Sequence, residues 1–213
     1  MDKLTETVFL IDDDPHVLRA MARLLASEGW STRTYRSAPE FLADHDEVTP
    51  GCLVLDLLMP EMTGLDLQRE LARLGEYRPI IFLSGRGDVP SSVAAMKSGA
   101  VDFLTKPVDG AVLLAAVRSA IARDVQQRAA VQQAHGARAR LSNLTARERQ
   151  VLDGVVAGLL NKQIAGRLGI VEKTVKVHRA RAIAKLGTRS TADLVRMVQI
   201  ASAGHDPSRP NVE

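Results

Sequence analysis

Val8-Phe9-Leu10-Ile11-Asp12-Asp13 is an apolar run closed by two acids, and the chain repeats that form three times. Cys52-Leu53-Val54-Leu55 ends in Asp56, Ile80-Ile81-Phe82-Leu83 ends in Ser84, and Val101-Asp102-Phe103-Leu104-Thr105 ends in Lys106-Pro107. Short apolar runs bounded by turn residues and separated by helical patterns read as buried parallel strands. In an open α/β sheet, ligands sit beyond the carboxyl ends of such strands. The four runs therefore send carboxylates, a hydroxyl and an ammonium to one edge.

The intervening segments carry helix signals. Asp14-Pro15 starts a helix running to about Glu28, and Gly29 stops it. Ser31–Tyr35 reads as a second strand. Ser37 and Glu40 have capping-box spacing before a short helix, and Thr63 to Asp66 open another, with Leu65, Leu71 and Leu74 facing the sheet. Asp88 or a neighbour caps the next helix, which Gly99 ends. Five strand–helix alternations predict a doubly wound five-stranded parallel sheet over residues 1–122.

A helical pattern from near Asp109 carries Val112, Leu113, Ala116, Val117, Ala120 and Ile121 and is expected to stop at Gly136. Its apolar stripe fades past residue 123, so 123–140 reads as a helical linker. Residues 141–203 read as all-α. Thr145 and Glu148 form a second capping box, and Gly158 ends that helix. Asn161 caps Lys162–Leu168, Gly169 makes a tight turn, Glu172–Leu186 follows, and Ser190 caps the last helix. That order is a helix-turn-helix. The remainder, 204–213, with Pro207 and Pro210, is expected to be a disordered tail.

Composition bounds the function. A chain of 213 residues with 46% hydrophobic and 25% charged residues suits two soluble domains. No apolar stretch has membrane-span length and the start lacks a signal-peptide pattern, so no membrane partner and a cytoplasmic location are expected. The one cysteine, Cys52, lies within an apolar strand and reads as a structural thiol. The formal charge of +3 conceals a division. Residues 1–122 hold 12 Lys and Arg against 18 Asp and Glu, and residues 123–213 hold 16 against 7. A basic second part is the electrostatic footprint of nucleic-acid binding.

Asp12, Asp13 and Asp56 converge on one crevice, where like charges need a compensating cation. Hard oxygen donors suit Mg²⁺. With the metal and Lys106 beside it, Asp56 can attack phosphorus and form an acyl phosphate, and Ser84 can donate to the phosphoryl oxygens. One such Asp after a strand would be an ordinary turn residue. The joint occurrence at four strand ends favours the pocket.

These residues resemble the receiver domains of two-component response regulators: Asp12-Asp13, Asp56 with Met59-Pro60, Ser84, Phe103 and Lys106-Pro107, over about residues 5–122. The resemblance implies phosphotransfer to Asp56 from the phosphohistidine of a sensor histidine kinase. It implies Mg²⁺ ligands from Asp12, Asp13, Asp56 and the backbone carbonyl of Leu58, and a cis Lys106-Pro107 peptide. Ser84 and Phe103 resemble the family's hydroxyl–aromatic switch, although core packing alone also explains Phe103. Val93, Met96, Lys97, Asp102, Val112 and Arg118 correspond to the phosphorylation-dependent dimer face, with an ordinary solvated face as the equal alternative.

On the helix Glu172–Leu186, Val175, Ala182, Ile183 and Leu186 fall on a core-facing side. Lys173, Lys176, Val177, Ala180 and Arg181 fall opposite. A basic outer face after a tight turn fits a major-groove reader. Lys173, Thr174 and His178 suit phosphate contacts, and Lys176 and Arg181 suit base edges. The segments Leu144-Thr145-Ala146-Arg147-Glu148, Asn161-Lys162-Gln163-Ile164-Ala165 and Thr174-Val175-Lys176-Val177-His178 resemble the LuxR-type helix-turn-helix, nearest to FixJ-type regulators. Val171 stands where that family usually has a capping Ser, which weakens the helix start by roughly 1 kcal/mol.

The expected function is a transcriptional response regulator, not an enzyme, that dimerises on phosphorylation and binds double-stranded promoter DNA, with RNA polymerase a further partner. Two rivals are a Mg²⁺-dependent phosphohydrolase using Asp56, and a DNA-binding regulator that ignores phosphate. Asp56-Leu57-Leu58 lacks the second acid that such hydrolases use as general acid.

Overall fold

A computed structural model describes residues 6–44, 46, 48–85, 89–188 and 190–203. The chain divides into two compact units, Met1–Gln127 and Arg128–Glu213.

The first unit alternates β1 (Thr7–Ile11), α1 (Pro15–Ser27), β2 (Ser31–Tyr35), α2 (Ala38–Ala43), β3 (Gly51–Asp56), α3 (Gly64–Leu74), β4 (Ile80–Ser84), α4 (Val89–Lys97) and β5 (Asp102–Thr105). The first part of α5 (Gly110–Ser142) completes it. All strand pairs are parallel, in the order β2-β1-β3-β4-β5. Alternation along each strand divides the core between two layers. Val8, Leu10, Cys52, Val54, Ile81 and Leu83 pack with Leu18, Met21 and Leu25 of α1 and Leu113, Val117 and Ile121 of α5. Phe9, Ile11, Leu53, Leu55 and Phe82 pack with Phe41 of α2, Leu67 and Leu71 of α3 and Ala95 of α4. β1, β3 and β4 are buried along their whole length, which explains their unbroken apolar runs.

Local signals set the helix ends. The Asp14 carboxylate accepts from the His16 N–H at 2.7 Å, with Pro15 at the first helical position. Ser37 accepts from the Glu40 N–H, and Thr63 with Asp66 forms a complete capping box. Gly29 turns with φ 83°. Gly51 has φ 155°, and a Cβ there would lie 1.8 Å from the Thr7 carbonyl oxygen. Its N–H donates at 2.9 Å to buried Asp124 of α5, which ties that helix to the start of β3. The α3 face differs from expectation: Leu67 and Leu71 are buried, whereas Leu74, the final helical residue, is 45% exposed. Leu74 continues the sequence stripe one turn past Leu71, to the end of the helix. The expected cap at Asp88 lies outside the described residues.

The second unit contains the end of α5, then α6 (Ala146–Val156), α7 (Asn161–Leu168), α8 (Glu172–Leu186) and α9 (Thr191–Ala203). Its core joins Val151, Leu152, Ile164, Val175, Leu186 and Leu194. Gly136 does not end α5, which continues to Ser142. One glycine costs a helix about 1 kcal/mol, and the next turns bury Ala137 and Leu141 in this core. Part of the expected linker is thus a packed element. Asn161 is the first residue of α7, not its cap. Leu160 precedes the helix with no side-chain cap, and the Gln163 carbonyl oxygen accepts from the Leu160 N–H at 2.8 Å. Asn161 instead turns its Oδ1 toward Arg179, at 3.4 Å. The expected tail, 204–213, lies outside the described residues.

Candidate functional site

The sheet order reverses between β1 and β3, and the crevice at that switch point is where open α/β sheets bind ligands. Ile11 pairs with Leu55, so Asp12 and Asp56 stand side by side at the strands' carboxyl ends. Asp12 is fully buried and Asp56 is 5% exposed. Lys106, following β5, reaches both: its Nζ lies 2.6 Å from Asp12 Oδ2 and 2.7 Å from Asp56 Oδ1. The remaining oxygens accept backbone N–H groups, Asp12 Oδ1 from Asp14 at 3.0 Å and Asp56 Oδ2 from Leu58 at 3.1 Å. Lys106-Pro107 is cis, as expected.

Burial raises the Asp56 carboxyl above its usual range, Lys106 draws it part of the way back, and Asp12 opposes ionisation. For Lys106 burial acts downward, but hydrogen bonds to Asp12 and Asp56 outweigh it and hold the ammonium above its ordinary value. The result is a desolvated carboxylate with a fixed cation at one oxygen. Such a group can attack an electrophilic phosphorus and return negative charge to the same cation.

The other expected pocket residues vary in position. Ser84 ends β4, is 1% exposed and pairs in register with Thr105. Phe103 is half-buried, its ring 6.3 Å from that of Phe82 and tilted by 34°. Leu58 is 59% exposed, which leaves an apolar side chain at the crevice rim. Asp13 is exposed, and among the described residues no three His, Cys, Asp or Glu side chains gather at ligating distance. The structure thus unites Asp12, Asp56 and Lys106 but does not bring Asp13 into that contact. The donor set is all hard oxygen, and in that chemistry it fits magnesium.

Of the expected dimer face, Val93, Met96 and Val112 are 44%, 48% and 48% exposed, an apolar surface on α4 and α5. Lys97 and Arg118 are also exposed. Arg118 Nη1, however, lies 3.3 Å from Glu28 beyond α1. Half-buried Asp102 accepts from the Phe103 N–H.

On α8, Val175, Ala182 and Leu186 are buried and Ile183 half-buried, while Lys173, Lys176, Val177, Ala180 and Arg181 are exposed. Lys176 pairs with Glu172 at 3.2 Å, so Lys173 and Arg181 are the face's cations without an ion-pair partner among the described residues. Thr174 and His178 are half-buried, at the edge of the face. Val171 makes no cap hydrogen bond, as expected for that side chain.

Two positioning contacts were not legible as sites. Arg179 reaches Asn161 at 3.4 Å and the Thr191 hydroxyl at 2.9 Å, and so ties α8 to both neighbouring helices. Lys185 pairs with buried Glu148 of α6 at 2.7 Å. Both Glu148 and Lys185 fall in conspicuous stretches, yet 37 residues separate them and no helical period connects them.

A family model of the response regulator receiver domain matches residues 8–118, and one of the luxR family of bacterial regulatory proteins matches residues 142–198. Response regulator protein TmoT of Ectopseudomonas mendocina is 45% identical over 199 residues, covering 93% of this chain and 90% of that protein. Transcriptional regulatory protein FixJ of Rhizobium meliloti (strain 1021) is 45% identical over 202 residues, covering 95% and 98%. A low-resolution structure of the response regulator StyR superposes with a TM-score of 0.81 at 42% identity, covering 92% of this chain and 98% of that one.

Proposed function

The chain belongs to the two-component response regulators that join a receiver domain to a LuxR-type DNA-binding domain, and on that premise we propose that phosphorylation of Asp56 drives dimerisation and promoter binding. The family assigns it to transcription regulation, with a sensor kinase and DNA as partners. The observation that carries the finer reading is the Asp12–Lys106–Asp56 bridge at the sheet's switch point.

Phosphotransfer starts with a kinase phosphohistidine placed in line with Asp56 Oδ. The new O–P bond forms as the N–P bond breaks, and the imidazole departs, taking a proton from solvent. Lys106 follows the developing charge from the carboxylate onto the phosphoryl oxygens, and the Ser84 hydroxyl donates to one of them. Magnesium, when held by Asp12, Asp13, Asp56 and the Leu58 carbonyl, supplies charge neutralisation at those oxygens. Phe103 then moves inward beside Phe82 as Ser84 turns toward the phosphoryl group, which alters the surface of α4, β5 and α5. Val93, Met96 and Val112 give that surface its apolar area for a second copy.

Dimerisation links two α8 readers and raises their effective concentration on paired half-sites. Lys173 and His178 serve phosphate contacts and Arg181 a base edge. Lys176 joins them after leaving Glu172. RNA polymerase is a further partner, and the cytoplasm, where kinase domain and promoter meet, is the location. Among the described residues no helix is long and apolar enough to cross a membrane.

The test is incorporation of label from a small radiolabelled phosphodonor. Wild type should take it up with Mg²⁺, lose the reaction on chelation, and elute as a dimer that binds promoter DNA more tightly. Asp56→Asn should take up none. Equal labelling of the variant defeats the assignment, and labelling without a change in elution defeats the dimerisation step.

A further inference from the structure

At the amino-terminal edge of the sheet, away from the Asp12–Asp56 crevice, the first unit carries a cavity of about 330 Å³. It lies between the end of α3, the loop into β4, the end of α4 and the middle of α5. A volume of that order suits a small molecule. Leu71, Pro79 and Ile80 are buried in its wall, and Val101 is half-buried there, its N–H bonded to the Ile80 carbonyl oxygen at 2.8 Å. Tyr77, 46% exposed, adds an aromatic ring. None of the residues of the expected dimer face lines it.

Three polar side chains of the wall define what the cavity can hold. Gln68 is 5% exposed, and its Nε2 donates to the Ala95 and Ser98 carbonyls, which fixes how the amide is turned. Its Oε1 is buried with no hydrogen-bond partner among the described residues. A buried acceptor without a donor is destabilising, so a donor placed against it is favoured. The Glu76 side chain is 6% exposed; its carboxylate accepts from the Arg78 N–H at 3.0 Å and lies 3.6 Å from the Arg78 guanidinium. That guanidinium also holds the Asp46 and Thr49 carbonyls and lies over the Phe9 ring, as part of the packing below the sheet. Arg123 of α5 is exposed, with no ion-pair partner among the described residues.

We propose that this cavity binds a free α-amino acid with an apolar or aromatic side chain. The ligand ammonium donates to Gln68 Oε1 and faces the Glu76 carboxylate, and the ligand carboxylate meets Arg123. The ligand side chain lies against Leu71, Ile80, Val101 and the Tyr77 ring. A simple carboxylic acid leaves the Gln68 oxygen without a donor, and a simple amine leaves Arg123 without an anion. The site rests on its own walls and on neither the phosphotransfer nor the DNA-binding reading.

The test is calorimetric titration of the full chain with L-phenylalanine, paired with heteronuclear NMR of the labelled protein. Binding should saturate at one ligand per chain, and the largest amide shifts should fall at Ser98, Gly99 and Val101. Arg123→Ala should weaken it at least about tenfold by removing the cation, and Ala72→Leu should do the same by narrowing the cavity. Both positions are exposed, so the two variants should melt as wild type does. Phenylpropionate, which lacks the ammonium, and phenethylamine, which lacks the carboxylate, should each bind at least about tenfold more weakly than phenylalanine. These analogues are tested on wild type, and they decide the matter where a substitution disturbs the fold. The proposal is overturned if wild type does not bind, or if the shifts fall instead at the Asp56 edge. It is also overturned if either folded variant binds as tightly, or if either analogue matches the amino acid.

Discussion

Asp56 with Lys106 in the first unit and Glu148 with Lys185 in the second are chemically alike, and each pair stands 2.7 Å apart. Their surroundings push the two carboxyls in opposite directions. Asp56 is desolvated beside a second acid, Asp12, and rises above its ordinary range despite the shared ammonium. Glu148 meets no rival acid among the described residues. Lys185, the Thr145 N–H and the Thr145 hydroxyl stabilise its charge, and it falls from 4.5 to about 2. The lesson is that proximity to lysine does not decide a carboxylate's role. A carboxylate that resists ionisation keeps the basicity a nucleophile needs, and one whose charge is fully satisfied becomes a fastener.

That contrast can be broken most forcibly at Lys106. Lys106→Met leaves Asp12 and Asp56 facing each other, and should cut phosphate incorporation about 100-fold. It should also cost about 2–3 kcal/mol in urea unfolding. Wild-type uptake would mean the ammonium does no chemistry. Next is Glu148→Gln, which should lower the melting temperature of the second unit by several degrees and weaken DNA binding, while labelling of Asp56 stays as in wild type. Because Glu148 is depressed in the folded state, its contribution is present above about pH 4.5 and is lost as pH falls toward about 2. Wild type should lose second-unit stability across that window by circular dichroism, and Glu148→Gln should lose less over the same range, since the Asp153 and Glu172 ion pairs still titrate there.

Smaller effects sharpen the same comparison by improving the second unit without touching its ion pair. Val171→Ser gives α8 the cap it lacks and should add about 1 kcal/mol to stability in denaturant melts. Gly136→Ala should add about 0.5–1 kcal/mol, since the new methyl meets nothing and the helix gains propensity. A loss in either case would mean that the local backbone is not the helix described.

The fold of the first unit was legible because strands buried on both faces write themselves as unbroken apolar runs, and Asp14, Thr63 and Gly29 punctuate the helices between them. The convergence of Asp12, Asp56 and Lys106 followed from parallel strands alone, since such strands share a carboxyl edge. Asp13 follows Asp12 beyond the same strand end and is exposed. Leu74 was misread because Leu65, Leu67, Leu71 and Leu74 contain more than one possible stripe. Gly136 was given too much weight, since burial of Ala137 and Leu141 offsets one glycine. Arg179 with Thr191 and Glu148 with Lys185 left no local trace. Their partners meet only after the helices have packed.

One side chain in the first unit bears on how its signal could leave the crevice. Gln68 of α3, 5% exposed, donates through Nε2 to the Ser98 carbonyl at 3.1 Å and the Ala95 carbonyl at 3.4 Å. Both acceptors lie at the carboxyl-terminal end of α4, and that end is thereby anchored to its neighbour. Any displacement of α4 that keeps those bonds is a swing about a fixed post, with the largest excursion at the end toward Ser84. Val93 and Met96, nearer the post, would turn in place and not translate.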